Sequence, residues 1–87
     1  MIFVSKPCKT DSAYEVLPKT RIRINLEESC EKLVKGGYEI VVTTPHIAVI
    51  KKIYEISIFP SGRLLIKDLT DKKIAEDIAR EVYALVL

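Results

Sequence analysis

Three side chains of this sequence have the chemistry to act as a nucleophile or a base: Cys8, Cys30 and His46. A catalytic thiol needs a base that takes its proton and an acid that orients the base, and the candidate acids are Asp11 and Glu15. Cys30 is expected on the apolar side of a short helix and His46 in a turn, which favours structural roles for both. We therefore predict a noncatalytic protein, with a thiol-dependent enzyme as the minor alternative.

The same residues lack the spacing of a metal site, because no second Cys or His lies near any of them in the sequence. We predict no metal, no cofactor and no small-molecule substrate. The two cysteines also stand too far apart in so short a chain to indicate a disulfide framework, so reduced thiols are expected.

A second kind of chemistry is binding, and it rests on cations placed near an aromatic ring. Lysine and arginine side chains neutralise phosphates, and an exposed ring stacks on or wedges between bases. The residues with this potential are Arg21, Arg23, Phe59, Arg63 and Lys67. The net charge of +2 is too small to indicate a nucleic-acid-binding protein by itself.

Composition limits the class of protein that can carry these residues. The chain has 87 residues, of which 48% are hydrophobic and 30% charged, and this predicts a single domain over 1–87. A run of about 18 apolar residues is absent and residues 1–5 are too short for a signal peptide, so we predict a cytoplasmic protein with no membrane partner. One Asn, no Gln and many Lys, Glu and Ile are typical of heat-adapted proteins.

A hairpin over residues 55–67 is the element that positions most of the binding residues. Apolar and polar residues alternate on both sides of Pro60, Ser61 and Gly62, which form a three-residue turn. This register predicts that Ile58 faces Leu64 in the core. The opposite face then carries Glu55 across from Lys67, Ser57 across from Leu65, and Phe59 across from Arg63.

The segments before the hairpin predict strands and one short helix. We expect a strand over 2–5, a long loop over 6–20, and a strand over 21–26 that points Ile22, Ile24 and Leu26 inward and Arg21, Arg23 and Asn25 outward. Acids in the first turn, lysines near the end and two glycines predict a helix over 27–35. Strands are expected over 38–43 and 47–53, with a turn or bulge at Lys51 and Lys52.

A long helix closes the chain. Thr70 is the expected cap, with Leu69 packed against Ile74 as a staple. The expected apolar stripe consists of Ile74, Ala75, Ile78, Ala79, Val82, Tyr83, Leu85 and Val86. The predicted fold class is therefore α+β, with a curved antiparallel sheet of about 4 to 6 strands packed on one long C-terminal helix and a short helix after an early strand.

The element order and the hairpin sequence IFPSGRLLIK resemble one repeat of the TATA-binding protein family, whose repeats carry an IF-x-SGK-type hairpin. The sequence of residues 24–26 also resembles that repeat, and the resemblance covers about residues 21–87. It implies a TBP-like half-repeat fold with a concave sheet face that meets the DNA minor groove, and a wedging role for Phe59. The remaining contacts that it implies are Ser57, Arg63, Leu65 and Lys67 on the hairpin and Arg21, Arg23 and Asn25 on the first strand.

Together these residues predict one binding face: Arg21, Arg23, Asn25, Ser57, Phe59, Arg63, Leu65 and Lys67. The chain has length for one repeat, so a saddle would require a dimer. We predict an interaction module that associates through its open sheet face or edge, as a homodimer or as a subunit of a larger assembly. The alternative is a nucleic-acid-binding protein that uses the basic and aromatic face.

Overall fold

The computed structural model describes residues 3–7 and 12–87. It has the α+β class predicted from the sequence, with a six-stranded antiparallel sheet in the order β1-β2-β6-β5-β4-β3 and two helices. In chain order the elements are β1 (Phe3–Pro7), β2 (Ala13–Pro18), α1 (Leu26–Lys35), β3 (Glu39–Thr43), β4 (Ala48–Lys51), β5 (Glu55–Ile58), β6 (Leu64–Lys67) and α2 (Lys72–Val86).

The core lies on one face of this sheet, which we call the inner face. Alternate strand residues such as Ile50, Ile56 and Leu64 are fully buried there, in one apolar cluster with residues of both helices, including Leu33 and Val82. Because strand side chains alternate between faces, the residues between them lie on the opposite, outer face. Both helices therefore leave the outer face uncovered within the described residues.

The central hairpin has the predicted register. Ile58 pairs with Leu64 and Ser57 with Leu65, as the alternation required. At the turn, the Phe59 amide donates to the Arg63 carbonyl at 3.0 Å. Gly62 has a positive φ of 89°, a conformation that glycine adopts without a steric penalty. The turn sequence therefore sets the position of every side chain on β5 and β6.

The loop predicted over residues 6–20 is wrong, because β2 occupies 13–18 and β1 extends to Pro7. β2 lies between β1 and β6, with Val16 opposite Ser5 on one side and opposite Leu64 on the other. Tyr14 and Val16 belong to the core cluster. Two residues singled out in this segment, Cys8 and Asp11, lie outside the described residues.

The strand predicted over residues 21–26 is also wrong. The chain has no regular structure over 21–25, and Leu26 begins α1. Ile22 and Ile24 do point inward as expected, but they pack over the turn end of the central hairpin, where the Ile24 amide donates to the Pro60 carbonyl at 2.8 Å. The alternation of apolar residues thus came from a segment with one buried side, which covers one end of the core without pairing in the sheet. We call residues 21–25 the covering segment.

Helix α1 lies where it was predicted, one residue longer at its start. The Asn25 side chain caps it by accepting a hydrogen bond from the Glu28 amide at 3.0 Å. Acidic residues occupy the first turn and lysines the last, which suits the helix dipole. The helix ends at Gly36, where a Cβ would lie 2.6 Å from Leu85 of α2, so this glycine lets the two helices approach closely.

Helix α2 begins one residue later than predicted, because Asp71 rather than Thr70 is its cap and accepts from the Ile74 amide at 3.1 Å. Ile74 remains 39% exposed, so its predicted place in the buried stripe is wrong. The buried face carries Ala75, Ala79, Val82, Tyr83 and Val86. Neither α1 nor α2, the helices of the described residues, is long and apolar enough to cross a bilayer.

Two buried tyrosines make the free energy of unfolding depend on pH in the alkaline range. Burial raises the pKa of Tyr83 to about 12, and its hydroxyl donates to the Gly62 carbonyl at 2.6 Å. Burial, together with the nearby Glu81 carboxylate, raises the pKa of Tyr38 to about 12. The folded protein therefore holds these protons more tightly than the unfolded chain, whose tyrosines titrate near pH 10.

We expect the free energy of unfolding to be unaffected by these tyrosines below pH 10 and to fall as the pH rises from about 10 to about 12. Urea titrations at pH 8, 10 and 11 measure the decline. The double variant Tyr38→Phe/Tyr83→Phe should show a shallower decline over the same range. A wild-type stability that stays constant from pH 9 to 11 would contradict the expectation.

Candidate interaction face

The outer face is built from rows of side chains that run across the strands. The first, which we call the charged row, crosses β6, β5, β4 and β3 in the order Lys67, Glu55, Lys51, Glu39. Cross-strand register joins Glu39 to Lys51 and Lys51 to Glu55, and the Lys67 ammonium lies 3.9 Å from the Glu55 carboxylate. Positive and negative charges therefore alternate along the row, and their sum is zero.

The next row along the strands, the apolar row, is mostly uncharged. It consists of Leu65, Ser57, Val49 and Val42, each paired with its neighbour across the sheet. Leu65, Ser57 and Val49 are half-buried by their surroundings, and Val42 on the edge strand is 45% exposed. This row lies at the centre of the outer face.

The third row, the turn row, lies at the turn end and contains Arg63, Phe59 and Ile47. The Arg63 guanidinium lies over the Phe59 ring, 4.8 Å from its centroid, as a cation–π pair. The same guanidinium forms a close ion pair with the Glu15 carboxylate of β2, and Lys6 of β1 lies 3.6 Å from the other oxygen of that carboxylate. Arg63 is thus held on the face between the Phe59 ring and the Glu15 carboxylate, which it shares with Lys6.

Five of the eight residues predicted for the binding face lie together on the outer face: Ser57, Phe59, Arg63, Leu65 and Lys67. Arg21, Arg23 and Asn25 were expected on a neighbouring strand, but the segment that carries them is not a strand of the sheet. Asn25 caps α1 instead. Arg21 and Arg23 are exposed residues of the covering segment, which precedes α1.

Sequence reasoning missed half of the outer face, namely the β3 and β4 residues Glu39, Val42, Val49 and Lys51. A bulge between Ile40 and Val42 shifts the register of β3 against β4, and this hides the alternation over 39–43. The signal that remained was the alternation of Ala48, Val49, Ile50 and Lys51, which in the structure are buried, half-buried, buried and exposed.

The edges of the sheet are poorly suited to pairing with another strand. β1 carries Lys6 and ends at Pro7, which has no amide hydrogen to donate. β3, the opposite edge, is interrupted by the bulge at Val41. Charges, proline and bulges are the devices that block edge pairing, so the open face is the better candidate for association than either edge.

The candidate catalytic residues are not joined by any hydrogen bond among the described residues. The buried Cys30 thiol lies 3.4 Å from the Thr43 hydroxyl, beside a groove of about 980 Å³ between α1 and the β3–β4 turn. His46 is exposed in that turn, where its amide donates to the Thr44 hydroxyl at 3.2 Å. Within the part of the chain that the structure describes, no group of three or more His, Cys, Asp or Glu residues could hold a metal ion.

The paired lysines near the β4–β5 turn have separate roles. Lys51 belongs to the charged row, whereas the Lys52 ammonium lies 3.0 Å from the Glu81 carboxylate and donates to the Gly36 carbonyl at the end of α1. Lys52 also lies over the Tyr38 ring at 5.0 Å. This lysine therefore ties the β4–β5 turn to both helices.

Comparison of the chain with protein-family models, curated proteins and solved structures gave no match. The resemblance to a repeat of the TATA-binding protein family therefore stays a prediction. From β2 onward the chain does run strand, helix, four strands, helix.

Proposed function

We propose that this protein is a small noncatalytic module that associates with a second copy of itself through the outer face of its sheet. The observation that carries the proposal is the combination of a central apolar row with a charged row whose charges cancel. Phe59 in the turn row adds apolar surface that neither helix covers. Open apolar patches on small proteins commonly mark interaction sites.

The electrostatics of the face favour a protein partner over nucleic acid. A phosphate-binding face needs cations that are free to replace counterions. Here Arg63 is paired with Glu15, and Lys67 lies beside Glu55. Protein interfaces instead combine an apolar, aromatic centre with a polar rim, which is the arrangement of these rows.

Nucleic-acid binding is the second candidate, and the pairing of Arg63 with Phe59 is the observation that favours it. An aromatic ring backed by a guanidinium is a surface on which bases stack. This candidate would also use Arg21 and Arg23, which are exposed on the segment before α1. Binding would weaken steeply as salt concentration rises.

We expect Leu65→Asp and Phe59→Asp to weaken self-association by at least about tenfold, because each places a charge in the centre of the apolar contact. Sedimentation equilibrium over a wide concentration range measures the effect. The matched control is Val34→Asp, since Val34 is 54% exposed on α1, a helix that packs on the inner face of the sheet. This variant should associate like the wild type.

Two results would contradict the proposal. One is a wild-type protein that remains monomeric at millimolar concentration. The other is binding to single- or double-stranded DNA that falls steeply with salt and is lost in a variant lacking Arg21, Arg23 and Arg63, which would establish the nucleic-acid alternative.

A further inference from the structure

We infer that the two copies pack face to face about a two-fold axis that runs parallel to the strands, between β4 and β5. This inference rests on the proposed self-association and adds its geometry. It follows from the sequence of charges along the charged row, in which the sign alternates across all four strands from β6 to β3.

The charged row reads plus, minus, plus, minus from β6 to β3. Reversing the row exchanges every sign. A two-fold axis parallel to the strands, placed between the two central strands, lays the row over a reversed copy of itself at the same height. Lys67 then faces the partner's Glu39, and Glu55 faces the partner's Lys51, so each of the charges meets an opposite charge.

A two-fold axis perpendicular to the strands is unfavourable for the same faces. An axis that runs across the strands, through the charged row, places Lys67 over the partner's Lys67 and Glu55 over the partner's Glu55. Like charges placed directly opposite each other repel. Moving this axis toward the turn end lays the charged row on the partner's apolar row, where charges would lose water without gaining partners.

The apolar and turn rows are compatible with the axis along the strands. In the apolar row, Leu65 faces the partner's Val42 and Ser57 faces the partner's Val49. In the turn row, Phe59 faces the partner's Ile47. Each row therefore faces the same row of the partner, so that charged residues face charged residues and apolar residues face apolar residues. Two copies of this surface are complementary in charge and in hydrophobicity under one symmetry operation, which is the condition for an isologous interface.

The expected interface is small. Four strands side by side span about 19 Å, and packed sheets lie about 10 Å apart. An overlap of this width is at or below the lower end of stable interfaces, so we expect a dissociation constant on the order of 10 to 100 µM. β1 and β2 extend past the overlap. Measurements of the dimer need protein concentrations that extend from below to above the expected dissociation constant.

Charge reversal tests which residues face each other. Lys67→Glu and Glu39→Lys should each weaken the dimer by about tenfold, because each creates two contacts between like charges across the axis. The double variant Lys67→Glu/Glu39→Lys restores opposite charges and should return the dissociation constant to within about threefold of wild type. Thermal unfolding of each variant controls for changes within the protomer.

Cross-linking then measures the geometry directly. Single variants Lys67→Cys and Glu39→Cys, each also carrying Cys8→Ser, are mixed and treated with a bismaleimide whose spacer is about 8 Å. Because Lys67 and the partner's Glu39 lie on sheets about 10 Å apart, the mixed cross-link should form rapidly. Two Lys67 positions are expected about 17 Å apart, so Lys67→Cys alone should cross-link slowly.

The outcomes separate the inference from the proposed function. A dimer that cross-links through two Lys67 positions, or whose double charge variant stays as weak as the singles, would overturn the axis and leave self-association intact. A chain that sediments as a monomer throughout the concentration range would overturn both. Rapid mixed cross-linking together with charge rescue establishes the axis.

Discussion

Replacing Ile66 by Ala is expected to lower the free energy of unfolding by about 2–5 kcal/mol, while Leu65→Ala beside it costs about 1 kcal/mol. Ile66 has no exposed surface and belongs to the inner-face core. Truncating it removes apolar contacts and leaves a cavity in a close-packed interior. Leu65 is half-buried on the outer face, where solvent can fill the space that its side chain leaves.

The comparison is matched because the two residues are neighbours on β6. The same backbone, strand position and turn apply to both, so only the face differs. Urea unfolding measured at a concentration where the protein is monomeric gives the two free energies. Equal losses in the two variants would contradict the assignment of the faces. Under the proposed function Leu65→Ala also weakens dimerisation, an effect that Ile66→Ala does not share directly.

The hairpin that carries both residues was predictable because all of its determinants are local. Alternation fixes the faces, and Pro60 and Gly62 fix the turn and hence the register. Helix α1 was predictable for the same reason, since the acids of its first turn, the lysines of its last turn and the two glycines lie within it or beside it. Its cap, Asn25, was assigned to a strand instead. Local signals within about ten residues were sufficient for these elements.

β2 was not predictable in the same way, because its stability comes from pairing with strands remote from it in sequence. Val16 pairs with Leu64, and the two are 48 residues apart. The short alternation over 13–17 is bounded by proline and polar residues and resembles a loop when taken alone. The segment 21–25 was mispredicted for the opposite reason: its alternation reflects the burial of Ile22 and Ile24 at the turn end of the core, and the segment pairs with no strand.

The outer-face residues on the hairpin of β5 and β6 were predicted from the sequence, and those on β3 and β4 were missed. The alternating charges become a row only when four strands are aligned side by side. Lys51 and Glu39 are separated by a bulged strand and a turn, and no local pattern relates them. The self-complementarity of the face is therefore a property of the sheet topology.

Gly62 is the residue at which a single methyl group is expected to have the largest effect on the turn. Gly62→Ala should lower the free energy of unfolding by about 2–4 kcal/mol for two separate reasons. A φ of 89° is strained for any residue with a Cβ, at about 1–2 kcal/mol. The added Cβ would also lie 2.5 Å from the end of the Ile22 side chain and 3.0 Å from Pro18, so the Ile22 side chain must move.

A double-mutant cycle with Ile22→Ala separates these reasons, because shortening Ile22 relieves the collision and leaves the backbone strain. In that background Gly62→Ala should cost only about 1–2 kcal/mol, and the difference measures the packing of the covering segment on the turn. Ser61→Ala, an exposed position of the same turn, should change stability by less than about 0.5 kcal/mol. If Gly62→Ala cost the same in both backgrounds, Ile22 would not pack on this turn, and the covering role assigned to residues 21–25 would be wrong.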